Sequence, residues 1–493
     1  MGVFTERILS NIKHLRNNYS SADKVYGIDG RITSYIKDAN GDGIVNGTDK
    51  VYIFFGLRRG GSSYYALDIT SPTSPKFLWK IDSNTAGFSE LGQSWSQPKV
   101  AYSGVNVTGK VAEPVVIFGG GYDASKDAAG VGGNDSSGRA IYMVDAKTGT
   151  LKWSLTPSGG TTAFTGITDS IPSSIGMLDS DGNGLVDRLY AGDTGGNIWR
   201  VDMPDDDPKD SDEPWTVFKL ASLGGTTNDT DRRFFNEPSI VRTFITETIE
   251  TTVTDEDGAT TKITSKQEKP YEAILIGSGD RSNPLGKDTQ DSFFMIKDEN
   301  IKTQSFPSKS TPIIPAPIAL KVSDLYDYTN NPFGQTMTTT ELQTLELAVS
   351  LKKGWYINFN KSDGEKNTES AIVIKGVVYF TSFIPPTLIA NQAVCEIPGG
   401  QGWLYAVDLA LGTKKYNWVD SENPEGITDG DERKIYISEQ FLGTPTLIVI
   451  PEDDGDANTI DEAVGNIIVG RKIVPVGFSL QTMRTHLYID ENN

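Results

Sequence analysis

Asp179-Ser180-Asp181-Gly182-Asn183-Gly184-Leu185-Val186-Asp187 carries side-chain oxygens at positions 1, 3, 5 and 9 of a short run, with glycine at position 6. Alternate residues of a tight loop converge on one point, the Leu185 carbonyl at position 7 supplies a further oxygen, and Gly184 permits the sharp turn between them. Asp179, Asp181, Asp187 and the Asn183 amide are hard oxygen donors. No His or Cys lies nearby, so the set suits Ca²⁺ rather than zinc or a redox metal. Asp, Asn and Gly are also the ordinary turn residues, and a solvated turn that binds nothing is the competing reading.

A second run, Asp38 to Asp49, offers Asp38, Asn40, Asp42 and the Ile44 carbonyl, with Gly43 at position 6 and Asn46 at position 9. Asp49 stands at position 12, where the calcium loop of an EF-hand has Glu. Its side chain is one methylene shorter, so a weaker second Ca²⁺ site is weighed against an Asx-rich structural turn. The acidic stretch Glu452 to Glu462 has Thr459 where a glycine belongs and reads as a solvated loop.

These loops need a scaffold, and the composition points to a β one. The 493 residues include 51 Gly and 24 Pro, with few long apolar helical patterns, which suits a mainly β chain with many turns. A net charge of −20 argues against nucleic acid, which is gripped by basic surfaces. Anionic lipid is disfavoured for the same reason. Cys395 is the single cysteine, so no intramolecular disulfide framework exists; His14 and His486 stand at opposite ends and form no catalytic group. No run of eighteen apolar residues suggests a membrane span. No signal peptide opens the sequence, so the chain is expected to be cytoplasmic or a piece of a longer exported protein.

A short strand ending in Asp recurs at Val25–Asp29, Tyr64–Asp68, Ile141–Asp145, Ile198–Asp202, Phe293–Asp298 and Leu404–Asp408. Several are followed by a turn and a strand carrying Trp79, Trp153 or Trp418. Apolar runs, mostly ending at glycine, fill in at Val51–Gly56, Pro114–Gly120, Arg188–Asp193, Ala273–Gly279, Val377–Thr381 and Asn466–Gly470. Units this short cannot bury a core alone and must pack side by side or radially. The expected fold is all-β, a modified β-propeller of about seven blades. Residues 1–24 read as a helical lead-in and 25–493 as the propeller. Insertions are expected at about 244–269, a protruding hairpin, and at about 300–350, a Pro-rich stretch followed by a helix over Thr338–Lys352.

Strands ending in Asp with a Trp also mark quinoprotein propellers, but the order of motifs here is more specific. Val25-Tyr-Gly-Ile-Asp-Gly30, Ile53-Phe-Phe-Gly-Leu-Arg-Arg-Gly-Gly61, Gly92-Gln-Ser-Trp-Ser-Gln-Pro98 and Ile117-Phe-Gly-Gly-Gly-Tyr-Asp123 come first. Asp187–Asp193, Gly277-Ser-Gly-Asp-Arg-Ser-Asn-Pro284 and Val377–Phe383 follow. From about residue 25 to about 480 the chain resembles the C-terminal propeller of the PilC/PilY-type adhesins of bacterial type IV pili. The resemblance implies a modified seven-bladed propeller on a protein exported to the cell surface, outer membrane or pilus tip. It implies a part in pilus biogenesis that supports extension, opposes retraction and contributes to attachment and twitching motility, with pilins or minor pilins as partners and a host-surface ligand in addition. It also implies that Asp179, Asp181, Asn183, Leu185 and Asp187 are the family's Ca²⁺ loop, and that the family's large N-terminal region, with its signal peptide, belongs upstream.

The expected function is thus a calcium-binding interaction module and not an enzyme. The alternatives are a quinoprotein-like dehydrogenase propeller and an outer-membrane assembly scaffold. Two weaker signals remain. Arg58-Arg59-Gly60-Gly61 suits an anion or a partner's carboxylate, or a turn whose arginines pair with nearby acids. Trp79, Trp95, Trp153, Trp199 and Trp418 suit a binding surface, or packing between repeats.

Overall fold

The computed structural model describes residues 6–17, 25–128, 131–254, 257, 258, 260–309, 311–387, 399–418, 431–451 and 463–480. Cys395, His486 and the acidic stretch Glu452–Glu462 lie outside them. Six antiparallel-based sheets follow one another along the chain. Each of the six apolar runs becomes the second strand of one sheet: Lys50–Gly56, Val111–Gly119, Arg188–Gly192, Thr260–Gly277, Val377–Ile384 and Ala463–Val469. The run count therefore reads the sheet count directly, and the described residues hold six sheets where about seven were expected.

The Asp-ended segments form the third strand of the first five sheets: Ser63–Asp68, Ile141–Asp145, Asn197–Asp202, Ser292–Asp298 and Gln401–Asp408. The aspartate closes the following turn. Asp145 Oδ1 accepts the N–H of Thr148 at 2.7 Å and Asp408 Oδ1 that of Ala410 at 3.0 Å. Gly149, at φ 72°, completes the first of these turns in the left-handed region. Val25–Asp29 is the exception and forms no strand. It passes the Arg58–Gly60 turn so closely that a Cβ on Gly60 would lie 1.8 Å from the Gly27 carbonyl oxygen. The outer strand of that sheet is Ile32–Lys37 instead.

Period-two alternation divides each central strand between two seams. Val115 and Ile117 join Trp153, Leu189 and Trp199 between the second and third sheets, whereas Val116 and Phe118 join Phe54, Trp79 and Tyr142 between the first and second. Tyr190, Phe218, Ile274 and Phe294 fill the next seam. Phe293 and Phe380 stack at 3.8 Å between the fourth and fifth sheets, and Tyr379, Leu404, Ile467 and Val474 join the fifth to the sixth.

Residues 244–254 and 260–269 fall within the long paired strands Ser239–Thr254 and Thr260–Gly277. The helix spans Thr339–Ser350, with Thr338 as N-cap in a reciprocal capping box with Glu341. Of its apolar set, Val349 is buried and Leu345 packs on the core, while Leu342 and Leu347 remain exposed. The insertion before it adds Leu320–Lys321 in parallel to the edge of the third sheet and Tyr326–Asp327 in parallel to the edge of the fourth. A lead-in helix covers Glu6–Asn17. No helix among the described residues is long and apolar enough to cross a membrane.

Candidate metal centre

The Asp179–Asp187 loop joins strand Gly176–Leu178 to strand Arg188–Gly192, the first two strands of the third sheet. Its base is fixed by main-chain bonds from Asp187 N to Leu178 O at 3.0 Å and from Val186 N to Tyr102 O at 2.8 Å. Asp179 shapes the turn by accepting the N–H groups of Gly182, Asn183 and Gly184 at 2.7, 3.1 and 2.8 Å. Gly182 and Gly184 sit at φ 79° and 87°, where any other residue would be strained. Burial pushes the Asp179 carboxyl up, but the N–H groups of Gly184 and Gly182 outweigh it and hold it below its ordinary value.

One carboxylate oxygen each from Asp179, Asp181 and Asp187 can be chosen so that all lie within 4.8 Å of one another. Among the described residues this is the only such grouping of three acidic, His or Cys side chains. Asp187 Oδ2 accepts the Ser180 N–H at 3.0 Å and the Ser180 hydroxyl at 2.5 Å. Asp187 Oδ1 is buried and has no hydrogen-bond partner. A buried anionic oxygen without a donor is costly unless a cation meets it. The donor set therefore fits a hard divalent cation, with Asn183 and the Leu185 carbonyl in the same loop. A cavity of about 500 Å³ adjoins it, lined in part by Asp181, Asp187, Asp205, Asp206 and Lys302.

The second loop begins in the same way. Asp38 accepts Gly41 N at 2.7 Å and Gly43 N at 2.8 Å, and the Gly43 and Gly41 N–H groups hold its carboxyl low. Asp42 accepts Ile44 N at 2.8 Å and the Asn46 amide at 2.8 Å, while Asn40 Nδ2 donates to it at 2.9 Å. Asp49 differs from the first loop's closing aspartate. It is 2% exposed, and its two oxygens accept Ala39 N at 2.8 Å and Asn46 N at 2.7 Å. Asp49 is thus placed as a tie between the loop's two ends, and Asp38, Asp42 and Asp49 form no close triad among the described residues.

Sequence reasoning missed the groups that seat the first loop. Ser180 Oγ lies 2.8 Å from Thr303 Oγ1, which accepts Arg188 Nε at 2.7 Å. Arg188 also bonds Glu272 and the Ile301 carbonyl. Arg200 binds Asp202 through Nε at 2.9 Å, Asp298 at 2.7 Å and the Asn300 carbonyl at 2.6 Å. Tyr190 donates to Glu272 and Asp298. Both arginines, Asp202 and Asp298 are completely buried. Burial pushes the Asp202 carboxyl up to about 6 against the pull of Arg200. The available signal was an arginine inside each of two apolar strands.

The family model of the PilY1 beta-propeller domain matches residues 7–265, more than half of the 493. The chain belongs to the PilY1 β-propeller family. A PilY1 homolog of Xylella fastidiosa (strain Temecula1), named as a type IV pilus biogenesis factor, is 25% identical over 401 residues, 78% of this chain and 23% of that protein. PilY1 of Pseudomonas aeruginosa (strain UCBPP-PA14), named likewise, is 24% identical over 436 residues, 83% of this chain and 34% of that protein. The chain thus spans about a quarter to a third of the length of these curated PilY1 relatives. The crystal structure of the P. aeruginosa PilY1 C-terminal domain superposes with a TM-score of 0.53 at 18% identity, covering 91% of this chain and 84% of that one. The β-propeller fold is shared with PilY1. The match of the PilY1 family begins inside the lead-in helix Glu6–Asn17.

Proposed function

We propose that this PilY1-family propeller is a calcium-binding interaction module of type IV pilus biogenesis and not an enzyme. In this reading it is exported to the cell surface or pilus tip, supports pilus extension against retraction, and takes part in attachment and twitching through contacts with pilins or minor pilins. The observation that carries the calcium assignment is the buried, unpartnered Asp187 Oδ1 beside the Asp179 and Asp181 carboxylates. Asp179, Asp181, Asn183, the Leu185 carbonyl and Asp187 would hold Ca²⁺, which supplies positive charge to a loop that otherwise concentrates negative charge. All five ligands belong to nine consecutive residues, as suits a structural or regulatory cation. The second loop, with Asp49 engaged by two N–H groups, is proposed as the weaker site.

The residues suggest how such a loop communicates. The turn around Asp179 is closed by main-chain N–H groups, so the calcium-linked change falls on Asp187 and on Ser180, which reaches Arg188 through Thr303. Calorimetric Ca²⁺ titration of the chain and of D179A/D187A tests the site: the double variant should lose the stronger binding event. The wider reading is tested in cells carrying D179A in the full-length protein, with retraction active. Few surface pili are expected; wild-type piliation and twitching at low and high Ca²⁺ would reduce the loop to a structural staple.

A further inference from the structure

Arg58 and Arg59 are adjacent in sequence but have different surroundings. Arg59 makes a two-pronged pair with Asp127 and donates to the Ser282 carbonyl at 3.1 Å. Arg58 has no carboxylate within 4.0 Å among the described residues, and its guanidinium reaches only the Asp29 carbonyl, at 3.5 Å. It lies over the Trp95 ring at 4.6 Å. Among the five tryptophans noted from the sequence, Trp79, Trp153, Trp199 and Trp418 are buried. Trp95, by contrast, is partly exposed and lines a small cavity of about 40 Å³.

That cavity gathers side chains from segments before, within and between the first five sheets, among them Arg31, Arg58, Gln97 and Arg281. Its acids are already taken. Glu369 is shared by Arg31 at 2.5 Å and Arg281 at 3.0 Å, and Glu237 pairs with Lys99 at 2.6 Å. Two guanidinium groups thus share one carboxylate and Arg58 stands beside them without one, in a chain of net charge −20. Burial, and then the neighbouring Arg281, push the Arg58 guanidinium down to about 10.

The backbone adds an independent sign. Arg58 stands at φ 49°, a left-handed conformation that glycine adopts freely and an L-side chain adopts at a cost. A strained backbone that presents a poorly compensated guanidinium on an aromatic face fits ligand recognition better than packing. The guanidinium fork matches a carboxylate in its plane, and Trp95 holds the fork from behind. The cavity volume suits a single carboxylate head rather than an extended ligand.

We propose that Arg58, on the Trp95 platform and backed by Arg281, forms a carboxylate-binding subsite independent of the calcium loop. The test is calorimetry and tryptophan fluorescence on the purified chain at constant ionic strength. Probes are sodium acetate, a blocked peptide with a single Glu, its Gln counterpart, chloride and sulfate. Saturable acetate binding is expected, weakened at least tenfold in R58Q. R58G separates binding from folding: its midpoint of unfolding should equal or exceed the wild type, since glycine takes φ 49° freely, while acetate binding is lost. Acetate binding with a silent Glu peptide supports the subsite and assigns it to a free small carboxylate. Binding of both, with a silent Gln peptide, supports it as a reader of a partner's acidic side chain. No saturable acetate response, equal binding in R58G, or chloride or sulfate bound as tightly as acetate overturns the proposal.

Discussion

Replacing Asp187 by Asn should have opposite effects on stability with and without calcium. The three loop carboxylates lie within 4.8 Å of one another, where two charges repel by about 0.9 kcal/mol in water's dielectric and by more at lower effective values. Asp187 faces two such neighbours, so the variant removes about 2 kcal/mol of repulsion. Its Asn carbonyl can still accept the Ser180 N–H and hydroxyl that Asp187 Oδ2 now accepts, though a neutral acceptor gives up about 1 kcal/mol. In chelator the variant should therefore match the wild type or exceed it by about 1 kcal/mol. With free Ca²⁺ at about 100 times Kd, mass action adds about 2.7 kcal/mol to the wild type and little to the variant. The order of stability should invert, by about 2–3 °C in Tm. Chemical denaturation of both proteins with and without chelator measures it. Parallel curves under both conditions, or a wild type that calcium does not stabilise, would refute the reasoning.

Three further outcomes follow from named contacts. Asp49→Ala should destabilise the chain by about 2–3 kcal/mol equally with and without calcium, because it frees the Ala39 and Asn46 N–H groups; a calcium-dependent loss in denaturation curves would instead make Asp49 a ligand. Asp291 is fully buried, and burial pushes its carboxyl up to about 6 against an ordinary 3.8, so the native state takes up its proton first and pays for the charge only as pH rises from about 4 to about 6. The stability of Asp291→Asn relative to wild type should grow by about 3 kcal/mol over that window; parallel Tm–pH profiles would count against it. Trp153→Ala should cost about 3–5 kcal/mol, since the completely buried indole fills the seam between the second and third sheets against Trp215, 5.3 Å away, and a loss under 1 kcal/mol in denaturation would show that the seam closes over the cavity.

The features legible in the sequence were those governed by local periodicity and turn chemistry. Runs such as Val115–Phe118 had to be strands because both faces are apolar, and Asp145 or Asp408 had to end a strand because its carboxylate caps the next turn. The Asp179–Asp187 spacing gave the loop for the same reason. What could not be read depended on which segment meets which. Asp49 and Asp187 are the same residue type closing similar loops, yet one has both oxygens filled by N–H groups and the other has one left over. Arg58 and Arg59 diverge because only Asp127, 68 residues away, reaches one of them. Val25–Asp29 carries the strand pattern, but Ile32–Lys37 takes the edge of the first sheet in its place. The apolar runs were legible one by one, and the described residues place each in a sheet of its own.

The insertion around residues 300–327 ties two neighbouring sheets together. Its carbonyls at Asn300 and Ile301 are gripped by Arg200 and Arg188, and its two short strands extend the edges of neighbouring sheets. The third and fourth sheets are thereby sewn into one plate by a thread that crosses both. Parting two leaves stitched by charged forks requires several directional bonds to break together. The Asp179–Asp187 loop is anchored to that plate through Ser180, Thr303 and Arg188. A pull on the loop is therefore shared by two blades at once.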